Sequence, residues 1–178
     1  MRTIRTKVYQ FSELSESAKQ KAIEKNRDIN TDYEWHDLTT DEQTSELIKQ
    51  GYNDAKIMFS GFSSQGDGAC FTCSNIDFNK FLNGKYKGLD ISANITHSWR
   101  YYFATSTTVN LNDDSQNADL SDEKYNEIEQ DIKDERERLG NKIYRELEEE
   151  YCSLMEDDAI IETIEANEYE FKSDGTRF

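Results

Sequence analysis

A long, highly charged helical pattern in the C-terminal part of the chain constrains the fold more than any other feature. In residues 122–158, DEKYNEIEQDIKDERERLGNKIYRELEEEYCSLMEDD, apolar side chains recur every three or four positions with one gap near Glu135, as on one face of a helix. These side chains are Tyr125, Ile128, Ile132, Leu139, Ile143, Leu147, Tyr151 and Leu154. The spacing predicts one helix about 50 Å long at ~1.5 Å per residue. Its narrow apolar stripe suits packing on a core or pairing with a second helix, and Gly140 predicts a kink.

The negative charge of the chain is concentrated around this helix. Residues 112–165 contain 20 Asp or Glu and 6 Lys or Arg, so this segment carries −14 of the formal net charge of −16. Such a surface repels phosphates and anionic lipids, which disfavours nucleic acid and membranes as direct partners and favours a basic protein. Its carboxylate density is about one per 4 Å, close to the one phosphate per ~3.4 Å of a single DNA strand. The charge is therefore either an ordinary solvated helix face or a surface for a basic partner, and its density would allow such a surface to imitate a nucleic-acid backbone.

Two stretches alternate strictly between apolar and polar residues. They are LDISANITHSW (89–99) and YYFATSTTVNL (101–111). A period of two predicts strands with one buried face, here as antiparallel neighbours. Together with the helical patterns, they predict an α+β fold. In this fold an antiparallel sheet of about four to six strands has helices on one face, and the long acidic C-terminal helix lies across or beyond it.

The remaining patterns complete the expected organisation. A first strand is predicted at 3–11, and helices are predicted at 12–30, capped by Ser12 or Ser15, and at 32–52. The whole chain is then divided into an α+β core at 1–111, an acidic polar loop at 112–120, a long acidic helical segment at 121–166 and a closing strand of the core at 167–178.

The stretch FSGFSSQGDGACF (59–71) connects two strand-like runs. It predicts a β-hairpin with its turn at Gly66–Gly68, because glycine and aspartate tolerate the positive φ angles of a tight turn. Asp67 is then expected to matter little, whereas Gly68 is expected to need a positive φ. The same glycines would also let a ligand approach the backbone, with Gln65, Gly66, Asp67, Gly68 and His97 as its contacts. The turn is the preferred interpretation, and the ligand site stays open as the alternative.

Cysteine and histidine are too sparse to indicate a catalytic or metal centre. Cys70 and Cys73 form a C-x-x-C pair, but residues i and i+3 of a strand point to opposite faces and cannot reach one metal ion. With Cys152 as the third cysteine, we expect neither zinc nor a disulfide, and a reducing compartment. With His36 and His97 as the imidazoles and no phosphate-binding glycine motif, we expect no cofactor and no enzymatic activity.

Three segments resemble a group of small uncharacterised proteins encoded by tailed bacteriophages. They are VYQFSELSESAKQKAIEKNRDINTDYEW, FSGFSSQGDGACF and NEYEFKSDGTRF, and they cover roughly the first 75 residues and the last dozen. The shared pattern is an SGFxSQGDGAxF element that follows an N-terminal strand and helix. The resemblance implies a phage gene product that works inside a bacterial cell, in host takeover or evasion of defence. It assigns no catalytic residue.

The sequence therefore predicts a non-enzymatic phage interaction protein of the host bacterial cytoplasm. It would bind and inhibit a basic host protein, such as a defence-related factor that itself binds nucleic acid. No segment approaches the ~18 consecutive apolar residues of a membrane span. Two alternatives stay open: a small-ligand or nucleotide-binding protein or enzyme that uses the Gly66–Asp67–Gly68 loop with His97, and a homodimeric scaffold joined through the long helix. The predicted partner-binding residues are Glu146, Glu148, Glu149, Glu150, Glu156, Asp157 and Asp158.

Overall fold

The structure, a computed structural model, describes residues 5–113 and 120–178. Its helices are α1 (Glu16–Lys25), α2 (Asp37–Lys49), α3 (Asp122–Leu154) and α4 (Asp157–Ala166). Its strands are β1 (Tyr9–Gln10), β2 (Tyr52–Asn53), β3 (Lys56–Phe59), β4 (Ala69–Thr72), β5 (Asn75–Ile76), β6 (Ile91–His97), β7 (Thr107–Asp113) and β8 (Glu170–Phe171). The predicted α+β class is confirmed. Among the described residues, no helix is both long enough and apolar enough to cross a membrane.

The strands form antiparallel pairs rather than one continuous sheet. The pairs are β1 with β8, β2 with β5, β3 with β4, and β6 with β7. A single antiparallel bridge between Cys73 and Ile95 links the segment after β4 to β6, with N–O distances of 3.1 and 3.2 Å. Asp54, which has a φ of +53°, separates β2 from β3. The expected sheet is divided because several strands are only two residues long and end at such turns.

One compact unit contains the residues up to His36 and those from Glu149 onward. Ser15 caps α1, its side chain accepting a hydrogen bond from the Ala18 amide at 3.4 Å, as one of the two sequence alternatives predicted. The last strand, β8, pairs with β1, and Tyr9 lies opposite Phe171. The buried core of this unit consists of Phe11, Leu14, Ala18, Ala22, Ile23, Ile160, Ile164 and Phe171.

Residues Asp37–Glu148 form the second compact unit. Its longest strand pair is the hairpin of β6 and β7, in which Ile95 lies opposite Val109 and both side chains are buried. The apolar stripe of α3 is also buried, at Ile128, Ile132, Leu139, Ile143 and Leu147. The chain itself covers these five side chains, whereas Tyr125, Tyr151 and Leu154 of the predicted stripe are half-buried.

The long helix differs from its prediction in two places. It passes Gly140 without interruption, so the expected kink is wrong. A Cβ atom at Gly140 would lie 2.7 Å from Ala104 Cβ and 3.1 Å from the Ala69 carbonyl oxygen, so glycine here allows close packing. The helix then ends at Leu154, and α4 begins only at Asp157, so the helix expected throughout 122–158 is interrupted.

The two alternating stretches also differ from the predicted strands, at the end of the first stretch and the beginning of the second. The second strand begins at Thr107 instead of 101, and a short 3-10 helix, Ala104–Ser106, precedes it. Residues 98–106 form the connection between β6 and β7, and Trp99 and Tyr101 on it are 66% and 51% exposed. The alternation therefore continues beyond the strands themselves. Of the predicted polar loop at 112–120, residues 114–119 lie outside the described part of the chain.

Candidate functional site

The connection between β3 and β4 is a nine-residue loop, 60–68, with a shape set by the Asp67 side chain. The Asp67 Oδ2 atom accepts hydrogen bonds from the amides of Ser63 and Ser64 at 2.9 and 2.7 Å. The Asp67 amide in turn donates to the Ser64 carbonyl at 3.0 Å, which closes a turn over 64–67. The predicted hairpin is present, but its turn spans 64–67 and only overlaps the expected Gly66–Gly68. The hydrogen bonds of Asp67 order the loop, contrary to the expectation that this residue matters little.

The loop glycines allow close packing of a second segment. Neither Gly66 nor Gly68 has a positive φ, so the expected reason for Gly68 is wrong. A Cβ atom at Gly68 would lie 3.0 Å from the Tyr102 carbonyl oxygen, and one at Gly66 would lie 3.3 Å from the ring of Tyr101. The 98–106 connection therefore rests directly on loop 60–68. Gln65 is exposed on the same loop.

His97 holds the 98–106 connection in place. Its Nε2–H donates to the Tyr101 carbonyl at 3.0 Å, and its ring stacks on Tyr102 with a centroid distance of 5.2 Å. In the described part of the chain, no hydrogen bond joins His97 to Gln65 or Asp67. The residues of the predicted ligand loop are thus linked through Tyr101 and Tyr102, and the contacts of His97 hold the 98–106 connection.

An acidic groove lies where loop 60–68 meets one face of α3. It has a volume of about 290 Å³. Asp67, Gly68 and Phe103 line it from the loops, and Glu137, Asn141 and Tyr144 line it from α3. Positions 137, 141 and 144 share one helix face because they are four and three residues apart. We call this feature the acidic groove.

Carboxylates and aromatic rings alternate around the acidic groove. Burial raises the pKa of Tyr144, and the negative charges of Glu148 and Asp67 raise it further, which places both carboxylates close to this ring. Phe62 packs against Tyr144 with a centroid distance of 5.4 Å. The rings of Tyr101 and Phe103 are 5.9 Å apart. The site therefore combines negative charge with exposed aromatic surface, without a nucleophile and base in contact.

Two carboxylates on this face of α3, those of Glu137 and Glu148, are not engaged in hydrogen bonds or ion pairs within the described part of the chain. Glu146, by contrast, pairs with Lys142 at 3.4 Å. Of the predicted partner-binding residues on the second unit, only Glu148 is therefore free to meet another molecule without losing an internal contact.

The remaining predicted partner-binding residues belong to the first unit. Asp157 pairs with Arg27 at 2.6 Å, and Glu156 is the N-cap residue of α4. Asp158 lies in the first turn of α4, where a negative charge interacts favourably with the helix dipole and stabilises the helix. Glu149 is exposed, and Glu150 has an interaction within the chain. The local fold thus accounts for several of these charges, and the structure does not place them on the acidic groove.

Sequence reasoning missed a polar cluster that anchors α3. Lys85 Nζ lies 3.0 Å from Glu127 and 2.7 Å from Asp131, and the Tyr86 hydroxyl donates to Asp131 at 2.5 Å. Hydrogen bonds from Lys124 and Lys85 lower the pKa of Glu127 to about 2. Burial acts to raise the pKa of Asp131, but its bonds to Lys85 and Tyr86 lower it overall. Part of the acidic charge of α3 is therefore neutralised by ion pairs within the chain, at its surface.

The cysteines are not arranged as a metal site. Among the described residues, no three His, Cys, Asp or Glu side chains come together as potential metal ligands. Cys70 and Cys73 are free and buried, and Cys152 is free and exposed. Burial raises the pKa of Cys70 and of Cys73 to about 11, so both thiols stay protonated at neutral pH.

The fold and the site define an α+β protein that carries an acidic groove flanked by exposed aromatic rings. The chain belongs to the family described as a domain of unknown function, DUF8835, because the family's model matches residues 27–87 and 81–157. The matched residues include loop 60–68, the 98–106 connection and the groove-lining part of α3. No curated protein and no solved structure matches the chain.

Proposed function

We propose that this chain is a non-enzymatic interaction protein whose acidic groove binds a basic segment of another protein. The observation that carries the proposal is the juxtaposition of Glu137 and Asp67 with the rings of Tyr144 and Phe103 around one groove. Carboxylates accept hydrogen bonds from Lys and Arg, and aromatic faces attract the same cations. A volume of about 290 Å³ is suited to one or two long side chains rather than to a large organic ligand.

The exposed rings of the 98–106 connection extend this surface. Trp99 and Tyr101 are more than half exposed, and Phe103 is 37% exposed at the edge of the groove. Aromatic residues and arginine are the side chains that contribute most binding energy at protein interfaces. We infer that an arginine-bearing loop or helix of the partner inserts between the rings and the carboxylates, with Glu148 extending the contact along α3.

The resemblance to tailed-phage proteins supports a bacterial partner. A host protein that binds nucleic acid presents a basic surface, which an acidic helix can occupy in place of the phosphate backbone. We therefore propose that the protein acts in the host cytoplasm and inhibits such a factor, for example one used in defence. Occupation of the basic surface would exclude the nucleic acid without any chemical step.

The test compares two variants that each remove two negative charges. Glu137→Gln with Glu148→Gln alters the acidic groove, and Glu149→Gln with Asp158→Asn alters the predicted cluster of the first unit. Host proteins that the tagged chain retains at low salt and releases at high salt are identified, and the affinity of each purified partner is measured at two salt concentrations. We expect the groove variant to bind about tenfold more weakly, with a smaller salt dependence, because complementary charge is lost.

The first-unit variant is the matched control for net charge. We expect it to bind like the wild type. If the first-unit variant loses affinity and the groove variant keeps it, binding occurs at residues 149–158, and the groove assignment is wrong. If neither variant changes affinity or salt dependence, the acidic surface is only a solvated face.

A further inference from the structure

Tyr52 presents a buried hydroxyl that finds no partner in the described structure. The residue is fully buried, and its ring packs edge-on against Phe71 and Phe81 with centroid distances of 5.0 and 6.0 Å. Its hydroxyl makes no hydrogen bond to any described residue. Buried hydroxyl groups are normally paired because an unpaired one loses its hydration without compensation. The hydroxyl of Tyr52 therefore indicates a missing acceptor.

Tyr52 is also one of the residues that line a pocket separate from the acidic groove. This pocket has a volume of about 420 Å³ and is lined by Tyr52, Lys49, Lys80, Leu82, Glu135 and Arg138 among others. No residue lines both this pocket and the acidic groove. We call it the Tyr52 pocket. Its volume is in the range of pockets that hold small organic ligands.

The charges of Glu135 and Arg138, which line the pocket, act on the buried Tyr52 hydroxyl, which can serve as a hydrogen-bond donor. Burial raises the pKa of Tyr52 far above its usual range, the negative charge of Glu135 raises it further, and the positive charge of Arg138 opposes this. The tyrosine is therefore protonated at neutral pH. Arg138 binds the Glu135 carboxylate through Nε and one terminal nitrogen at 2.8 and 2.6 Å, so the charge of Glu135 is already matched.

Two lysines at the pocket are held only loosely by their acidic neighbours. Lys49 Nζ is 3.5 Å from Glu46, and Lys80 Nζ is 3.7 Å from Asp77. The side chains of both lysines are at least half exposed, at 74% and 52%. Exposed pairs at such distances contribute little stability, so either ammonium group can turn toward an anion at small cost. With Arg138 they give the pocket three cationic side chains, against the carboxylates of Glu46 and Glu135.

The backbone at the pocket is held in an uncommon conformation. Leu82 and Asn83 have φ angles of +46° and +56°, in the left-handed region that a branched residue such as leucine rarely adopts. Both residues line the Tyr52 pocket. Strain of this kind is often retained where it shapes a functional site.

We propose that the Tyr52 pocket binds a small phosphate monoester. A phosphate ester would supply the acceptor that the Tyr52 hydroxyl lacks and a double negative charge for Lys49 and Lys80, while its organic part would lie beside Leu82. This site is independent of the proposed protein-binding groove. Its ligand would be a metabolite-sized molecule, and its binding would stabilise the second unit.

The first experiment measures thermal unfolding of the full chain with ribose 5-phosphate as the probe. With a Kd of about 1 mM, a probe concentration of ~10 mM is expected to raise Tm by about 3–5 °C relative to sodium chloride of equal ionic strength. Ribose is expected to give no rise. An absence of any rise with ribose 5-phosphate overturns the proposal. A rise of equal size with succinate or with inorganic phosphate overturns the assignment of a phosphate ester.

The second experiment repeats the measurement on variants. Lys49→Gln with Lys80→Gln is expected to lose most of the rise, whereas Lys87→Gln, which removes an exposed lysine that does not line the pocket, keeps it. Tyr52→Phe keeps the packed ring, and we expect it to raise the Tm of the ligand-free protein and to reduce the rise given by the probe. An unchanged rise in both the lysine and the tyrosine variants would place the phosphate elsewhere and contradict the proposal.

Discussion

Gly140→Ala is the substitution for which the structure and simple helix propensity make opposite predictions. In an exposed helix, alanine in place of glycine stabilises by about 1 kcal/mol. At Gly140 the added Cβ would lie 2.7 Å from Ala104 Cβ and 3.1 Å from the Ala69 carbonyl oxygen, so α3 or its neighbours must move. Overpacking of this kind costs ~1–3 kcal/mol, and contacts with backbone favour the upper value. We therefore expect a net loss of about 2 kcal/mol.

Thermal and urea unfolding of the wild type and three variants measures this balance. Gly140→Ala is expected to lower Tm by about 4–8 °C, since ~1 kcal/mol corresponds to ~2–4 °C at this chain length. Asn126→Ala, at an exposed position of the same helix, should instead raise stability by about half a kcal/mol. Adding Ala104→Gly to Gly140→Ala should restore part of the loss, because the shortest contact is removed. If the Gly140→Ala variant is as stable as the wild type, the close packing of α3 on β4 is refuted.

Two further predictions concern titration and thiol chemistry. The lowered pKa of Glu127, about 2 in the folded protein against 4.5 ordinarily, means that its ion pairs stabilise the fold above pH ~4.5 and are lost as pH falls toward 2. Tm should therefore fall less between pH 5 and 2 in Glu127→Gln than in the wild type or in a Glu123→Gln control, and equal falls would contradict the ion-pair network. At neutral pH, a disulfide reagent should modify Cys152 rapidly and Cys70 and Cys73 only on unfolding, whereas three equal rates would show that β4 opens readily.

The parts of the fold that follow from local patterns could be predicted from the sequence. The period of two gave β6 and most of β7, and the helical period gave α3, because both patterns reflect a buried face within one element. The gap in the apolar stripe of α3 is filled by Arg136, which is buried and donates to the Thr107 carbonyl at 2.7 Å. An arginine at a core position interrupts the apolar periodicity of the helix, so the sequence pattern alone could not predict that Arg136 is buried.

The acidic groove could not be predicted because its two sides are far apart in sequence. The sequence places Asp67 in a turn or in the alternative ligand loop, and Glu137 and Tyr144 are indistinguishable in it from other positions on a charged helix. Only the packing of α3 against loop 60–68 brings them together. The alternation through Tyr101 and Phe103 also predicted a strand, because a period of two cannot distinguish a strand from an exposed connection with alternating aromatic residues.

The central claim is that the acidic groove, rather than acidic charge in general, binds a basic segment. The most direct measurement is a titration of isotope-labelled protein with a short arginine-rich peptide, followed residue by residue through its amide NMR signals. We expect the largest shifts in 60–68, in 98–106 and around Glu137 to Glu148 of α3, and we expect them to disappear in the Glu137→Gln and Glu148→Gln double variant. Shifts spread evenly over all acidic residues, or concentrated at residues 149–158, would contradict the claim.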